Sequence, residues 1–400
     1  MNTPLAGIKV VDCTFFAAGP ACGMCLADWG AEVIKVEPPK FDPGRSKDPN
    51  DTNEASFNAY NRGKKGIIIN SKDPDGDALM HKLIASADVF LTSYRTDALV
   101  RMGLDWESLH AKYPKLVWAQ VNGFGDEGPD AAAPGFDTVA YWARSGATAD
   151  FVQEGAPIII PPVAFGDVNS GAVLAGGIAA ALYGRDRTGV GEKVMVSLYG
   201  NALYNMTYPI YDVQTGGHYP KRRTDVAIPM MNSFLCKDGR WIYMAVLEYD
   251  RYYPTIMRLI GREDLLTDES FNTAAAGTAH KAQLTAILDE GFLKHTQAEW
   301  DQILTEADIA HSTIRTISEA LTDAQALDNK YIFERTLRDG KTKMKYVASP
   351  VKFGNVEIPD VCLAPRRGED TVELMRGLGY SDESIREMAE RGVVKAIFKD

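Results

Sequence analysis

Gly66-Ile-Ile-Ile-Asn70, Asp77-Ala-Leu79-Met-His-Lys-Leu83-Ile84-Ala-Ser-Ala87 and Asp88-Val-Phe-Leu-Thr92 follow one another in the chain. The first and last are short apolar runs rich in branched residues. The middle one repeats its apolar positions, Leu79, Leu83 and Ile84, at helical spacing. Strand, helix, strand in this rhythm predicts two parallel strands joined by a helix. Working outward, further strands are expected at Ile8–Asp12, Glu32–Glu37 and Leu116–Val121, again separated by helical stretches. The fold class is therefore α/β, a parallel sheet with helices on both sides, and such sheets bind ligands beyond the carboxyl ends of their strands.

The chain has 400 residues, 45% of them hydrophobic, enough for two domains with real cores. Lys and Arg number 43 against 54 Asp and Glu, a net charge of −11, and no long basic run occurs. That balance argues against nucleic acid or an anionic membrane as a partner and leaves room for local basic pockets. The opening Met1-Asn-Thr-Pro-Leu-Ala-Gly-Ile8 leads directly towards a strand without a targeting pattern, so a cytoplasmic location is the default expectation. The longest apolar run, Gly171 to Tyr183, reads as too short and too rich in glycine to span a membrane. Five cysteines at irregular spacing predict no disulfide framework, and Cys22-Gly-Met-Cys25 lies in an apolar helical setting that reads as core packing. Six scattered histidines form no metal-ligand pattern.

Beyond the first sheet, Thr188-Gly-Val-Gly191 leads into another strand, and residues 206–232, with Pro209, Gly216, Gly217, Pro220 and Pro229, read as an irregular crossing linker. Residues 233–328 begin with two strands about a Lys237-Asp-Gly239 turn and continue with helical patterns at 250–261, 282–294, 297–306 and 317–327, a small α+β domain. Strands at Phe333–Leu337 and Met344–Phe353 and helices at Thr371–Leu378 and Ser381–Arg391 follow. The expected division is 1–205 as the first part of a large domain, 206–232 as linker, 233–328 as small domain and 329–400 as a return to the large domain.

Ala164-Phe-Gly166-Asp167-Val-Asn169-Ser170-Gly171 precedes the apolar run to Tyr183, which reads as a helix buried on all sides. Asp167, Asn169 and Ser170 occupy the expected N-cap region. Capping alone is the plain reading of Asp167. The rival reading is a reactive carboxylate, kept ionised by the helix start and left bare on one flank by Gly166. Gly123-Phe-Gly125-Asp-Glu-Gly128 matches a dinucleotide fingerprint in letters only, because Pro129 and Pro134-Gly135 follow where a helix would have to open.

With these residues in hand, the chain resembles the class III coenzyme A transferases, the family of formyl-CoA and carnitine CoA-transferases. Gly166-Asp167-Val-Asn-Ser-Gly171, Thr188-Gly-Val-Gly191, Asp28-Trp-Gly-Ala-Glu-Val-Ile-Lys-Val-Glu37 and Pro365-Arg-Arg-Gly-Glu369-Asp-Thr371 carry the resemblance, which runs from Pro4 to Asp382. It implies a Rossmann-like large domain built from both chain ends, a small inserted domain and a homodimer of interlocked rings. It implies that coenzyme A moves from an acyl-CoA to a carboxylic acid through an aspartyl intermediate on Asp167, with Gly166 and Asp137 completing the candidate catalytic set. Coenzyme A contacts then fall at Phe16, Ala17, Lys72, Ser93, Tyr94, Arg95 and Arg101. No metal, nicotinamide or flavin is implied.

Two departures bear on substrate. Pro38 stands where formyl-CoA transferases carry a basic residue, and their glycine-rich small-domain loop is absent, so oxalate is not the expected acid. Leu91-Thr-Ser-Tyr-Arg-Thr-Asp-Ala-Leu-Val, Lys112-Tyr-Pro-Lys-Leu-Val-Trp-Ala-Gln and Pro134-Gly-Phe-Asp-Thr138 resemble the branch that acts on 2-hydroxyacids in amino-acid-fermenting anaerobes. The alternatives are an α-methylacyl-CoA racemase and a silent coenzyme A-binding protein. The racemase requires a His where this chain has Phe136.

Overall fold

A computed structural model describes residues 3–40, 42–47, 54–356 and 362–398. The chain alternates β1 (Lys9–Cys13), α1 (Ala18–Asp28), β2 (Glu32–Glu37), α2 (Ala55–Asn61), β3 (Lys65–Ile68), α3 (Pro74–Ala85), β4 (Val89–Thr92), α4 (Thr96–Met102), α5 (Trp106–Lys112) and β5 (Val117–Asn122). A wide π-helical turn (Asp137–Ala143), α6 (Ala147–Asp150) and α7 (Phe165–Thr188) lead to β6 (Lys193–Ser197), followed by α8 (Leu198–Asn205) and α9 (Thr207–Gln214). The six strands form one parallel sheet in the order β3-β2-β1-β4-β5-β6. The expected α/β class is what the chain adopts.

Strands β1, β4 and β5 are almost wholly buried, which is why they read as unbroken apolar runs rather than alternating ones. Val11, Ile34, Ile67, Phe90 and Trp118 join Leu79, Leu83, Leu109, Met375 and Ile385 in one core. The last two belong to α16 (Thr371–Gly377) and α17 (Asp382–Glu390), which return from the far end of the sequence. Asp370 accepts the Gly66 amide at 2.8 Å, and Ile69 bridges to Val394, tying this segment to the β3 edge.

Helices α1 and α7 approach each other closely. A Cβ at Gly171 would sit 2.5 Å from the Ala18 carbonyl oxygen and 2.8 Å from the Cys22 nitrogen, so only glycine fits there. Cys22 is buried in this packing and Cys25 partly so; both are free thiols, pushed above the ordinary thiol range chiefly by burial.

The structure corrects the reading of α7. It begins six residues before Gly171 and runs for 24 residues. Its core face is Gly166, Ser170, Gly171, Leu174, Ala175, Ile178 and Leu182, while Val173 and Tyr183 are exposed. It is therefore buried on one face rather than on all sides. At this length it is long and apolar enough to cross a membrane by length and composition, which the shorter reading had denied; its inner face instead packs into the sheet domain.

The chain divides into one compact unit of residues 1–148, 160–211 and 325–400 and another of 149–159 and 212–324. These differ from the expected segments: residues 325–328 fall in the first unit instead of the small domain, and 212–232 belong to the second unit instead of forming a separate linker. Residues 206–211 stay with the first unit, and 149–159 belong to the second, where the Glu154 amide donates to the Lys221 carbonyl. The supposedly irregular linker contains α9 and a single helical turn at Arg223–Asp225.

The second unit holds an antiparallel sheet of β7 (Met231–Leu235), β8 (Trp241–Ala245) and β9 (His311–Thr313). It is packed by α10 (Tyr249–Leu259), α11 (Ala274–Ala279), α12 (Lys281–Phe292) and α13 (Gln297–Glu306). The helix expected at 317–327 is two short ones, α14 (Ile317–Ala320) and α15 (Ala324–Asp328), interrupted at Thr322-Asp323. In the first unit, β10 (Ile332–Thr336) and β11 (Lys343–Val347) form a two-stranded antiparallel sheet and, among the described residues, pair only with each other.

Candidate acyl-transfer site

Asp167 lies in the first turn of α7, partly buried. It does not cap the helix. The N-cap is Ala164, in the left-handed region at φ 61°, with no side-chain cap bond, and Asn169 and Ser170 lie inside the helix. There Asn169 Oδ1 accepts from Asn201 at 2.9 Å and Asn205 at 3.0 Å, and Ser170 Oγ accepts from Asn201 at 2.9 Å. These amides brace the first two turns of α7 against α8.

Gly166 has a different purpose from the one its sequence suggested. A Cβ there would meet the Tyr141 ring at 2.3 Å and Asp137 Oδ1 at 2.4 Å. Gly166 therefore admits a second carboxylate of the same chain, rather than leaving the flank of Asp167 bare. Asp137 opens the π-helical turn, a geometry common at functional sites, and is buried. The amides of Ala164 to Asp167 surround it and favour its charged form, yet neither of its oxygens gains a well-formed hydrogen bond, and burial leaves its pKa above the ordinary carboxylate range. The strained Ala164 is what turns the chain so that these amides encircle Asp137.

The consequence falls on Asp167. Burial first, and the Asp137 charge second, push its pKa up to about 7. The expectation of a firmly ionised carboxylate is thus corrected: the helix-start donors that would hold it charged are turned towards Asp137. Tyr60 on α2 senses both acids; burial, then Asp167, then Asp137 raise its phenol, which stays protonated as a donor. Nothing local in the sequence marks Tyr60. The Tyr141 hydroxyl accepts from Asn205 at 2.9 Å.

Strand order reverses between β1 and β4, and the loops following these strands flank the crevice where doubly wound sheets bind ligands. Several of the residues expected to contact coenzyme A meet there. Phe15 donates its amide to Ser93 Oγ at 3.2 Å, and its ring stands edge-on to Tyr94 at 5.2 Å. Phe16, at φ 64°, turns its ring to Phe136 at 5.5 Å. Ala17 is buried immediately before α1, at its N-cap. Arg95 is exposed at the start of α4. Lys72 is exposed beyond β3, two strands from the reversal. Arg101 is exposed at the other end of α4 and paired with Asp97 at 2.8 Å, so a phosphate there would have to displace a carboxylate. The fingerprint-like Gly123 serves packing: its Cβ would lie 2.7 Å from the Gly135 Cα, where two loop strands cross.

Comparison with known proteins decides what this arrangement belongs to. Residues 5–371 match the model of CoA-transferase family III. The chain belongs to that family. It is 38% identical over 397 residues to (R)-2-hydroxy-4-methylpentanoate CoA-transferase of Clostridioides difficile, covering 98% of this chain and 99% of the relative. It is 36% identical over 395 residues to cinnamoyl-CoA:phenyllactate CoA-transferase of Clostridium sporogenes, covering 96% and 95%. A CAIB/BAIF family protein from Brucella suis shares the fold at a TM-score of 0.82 and 28% identity, covering 94% of this chain and all of that one.

As a family III CoA-transferase, this chain moves coenzyme A between an acyl-CoA and a carboxylate. Among the described residues, no group of three or more His, Cys, Asp or Glu gathers to hold a metal ion.

Proposed function

We propose that Asp167 is the nucleophile of an acyl-CoA:2-hydroxyacid CoA-transferase. The observation that carries this reading is the pairing of Asp167 with the buried Asp137 across Gly166. Burial first and that pairing second make Asp167 a weaker acid, hence a more basic and less hydrated attacking group that is still substantially ionised near neutral pH.

An Asp167 oxygen attacks the thioester carbonyl, the C–S bond breaks, and the coenzyme A thiolate leaves from a mixed anhydride. The thiolate then attacks the Asp167 carbonyl of that anhydride, releasing the donor acid and leaving an aspartyl-CoA thioester. The acceptor carboxylate attacks this thioester to form a second anhydride, and the thiolate, attacking the acceptor's carbonyl, completes the new acyl-CoA and frees Asp167. The thioester bond energy is conserved, so no nucleotide is consumed. The protonated Tyr60 phenol, which feels the charge of Asp167, is the donor assigned in this reading to an oxyanion near Asp167, since the helix-start amides face Asp137.

The 2-hydroxyacid class is supported by two relatives whose names carry such acids with branched or aromatic side chains. A racemase reading would need a second base, and the ring of Phe136, which moves no proton, stands immediately before Asp137. The test is mass spectrometry of protein mixed with an acyl-CoA in the absence of acceptor. A coenzyme A thioester on the peptide containing Asp167, lost in Asp167→Asn, is expected. An unmodified peptide during active transfer would refute the assignment.

A further inference from the structure

Four aromatic rings form a chain across the carboxyl ends of two central strands. Tyr94 after β4 meets Phe15 after β1 edge-on at 5.2 Å; Phe15 meets Phe16 at 5.5 Å and 73°; Phe16 meets Phe136 at 5.5 Å and 83°. Tyr94 and Phe15 are partly buried, but Phe16 is 42% exposed and Phe136 51% exposed. Edge-to-face geometry is what aromatic rings adopt when they pack specifically. The open end of the chain lies one residue from Asp137, whose carboxylate abuts Gly166.

The Phe16 backbone is held against its own preference. A left-handed conformation is unfavourable for a bulky side chain, and glycine or asparagine is its usual occupant. The strand end and loop just before it are pinned from beneath. The Thr14 amide and hydroxyl both donate to Asp12 Oδ1, and the buried Lys35 ammonium donates to the Thr14 carbonyl while pairing with Asp42 at 2.9 Å. Lys64 pairs with Asp12 at 2.8 Å and donates to the Pro20 carbonyl at 2.9 Å. Two buried ion pairs thus brace a strained loop whose outward feature is a half-exposed phenylalanine.

We propose that Phe16 and Phe136 together form the wall that receives the acyl side chain and make the enzyme selective for aryl or branched-alkyl acyl groups over short ones. An acyl group joined to Asp167 starts beside Asp137, and Phe136, the preceding residue, carries a half-exposed ring joined to that of Phe16. A flat or branched apolar group covering the two rings removes from water the surface they now expose. A short acyl group leaves the rings wet. This deepens the transfer reading above and rests on it for the position of the acyl carbon.

The test measures kcat/KM for a 3-arylpropanoyl-CoA or 4-methylpentanoyl-CoA against propionyl-CoA in wild type, Phe16→Ala, Phe136→Ala and the conservative Phe136→Leu. Dissociation constants of the corresponding non-transferable S-alkyl coenzyme A thioethers are measured in parallel. The bulky-to-small ratio is expected to fall at least about tenfold in either alanine variant, in rate and in thioether binding, with Phe136→Leu between. An equal loss for both chain lengths would assign the rings to coenzyme A itself or to folding and overturn the proposal, as would an unchanged ratio. Because the thioethers undergo no covalent step, their binding ratio tests the wall even if Asp167 proves not to be the nucleophile.

Discussion

Asp167 and Asp137 act on each other through one absent atom, the Cβ of residue 166. With that atom missing, a buried acid lies against the helix start and takes up the amide field there, and burial first and the charge of this neighbour second push the pKa of Asp167 up to about 7. The sign of the resulting pH dependence follows directly. The nucleophile proposed is the ionised form of Asp167, so first-order dependence on acyl-CoA, read as kcat/KM, should fall as pH drops through about 7. Asp137→Asn removes the negative neighbour that raises Asp167, so the acid limb should move to lower pH while burial keeps it above an ordinary aspartate. A pH-rate profile of both proteins with the same acyl-CoA checks this. A limb that does not move, or moves upward, would show that Asp137 does not set the basicity of Asp167. Asp167, Gly166 and Asp137 were all named as candidates in sequence through the resemblance, but nothing there said that Asp137 lies against residue 166. Its coupling to residue 166 is a contact between groups about thirty positions apart that no local pattern contains. Tyr60 is the same case: its neighbours Phe57 and Asn61 are core positions, and its approach to the two acids comes from the packing of α2.

At the scale of elements, the strands of the sheet were the most legible features, because burial on both faces leaves runs such as Gly66-Ile-Ile-Ile69 with no polar alternation. The start of α7 was the least legible. Capping preference pointed to Asp167, Asn169 and Ser170, but the helix starts at Phe165 behind a left-handed alanine, and its first amides face a carboxylate from a distant segment. Helix α9 was missed for a different reason: it has no buried residue and so no apolar stripe, and Pro209 in its first turn reads as a loop signal although the first turn tolerates proline. The approach of α7 to α1 makes a prediction of its own. Gly171→Val places side-chain atoms where the Ala18 carbonyl and Cys22 amide now are, both backbone and unable to swing aside. A loss of roughly 2–4 kcal/mol is expected, read as a lowered midpoint in denaturant. Gly176→Ala, where a Cβ meets nothing within 4 Å, should cost nothing or stabilise slightly. Similar stability for the two variants would contradict the packing described.

In the whole molecule, residues 16, 60, 93–95, 136–137 and 166–167 assemble within one compact unit because the segments carrying them border the carboxyl ends of parallel strands or the helix packed beside them. That much follows from the strand-helix alternation read in sequence. The assignment of residues 149–159 to the second unit did not follow, since the segment has no regular structure beyond its first two residues, and its place depends on the hydrogen bonds made by Gln153 and Glu154. The chemistry proposed for the assembled site leaves a mark that a racemase or a binding protein has no reason to leave. When the thiolate attacks the Asp167 carbonyl of the first anhydride, the donor acid departs with one Asp167 oxygen, and the acceptor must replace it. A branched or aromatic 2-hydroxyacid labelled with heavy oxygen in its carboxylate should therefore place label in the peptide carrying Gly166-Asp167 during turnover. The account predicts a mass shift in that peptide only when acyl-CoA and acceptor are both present. Label confined to the small molecules after many turnovers would contradict it.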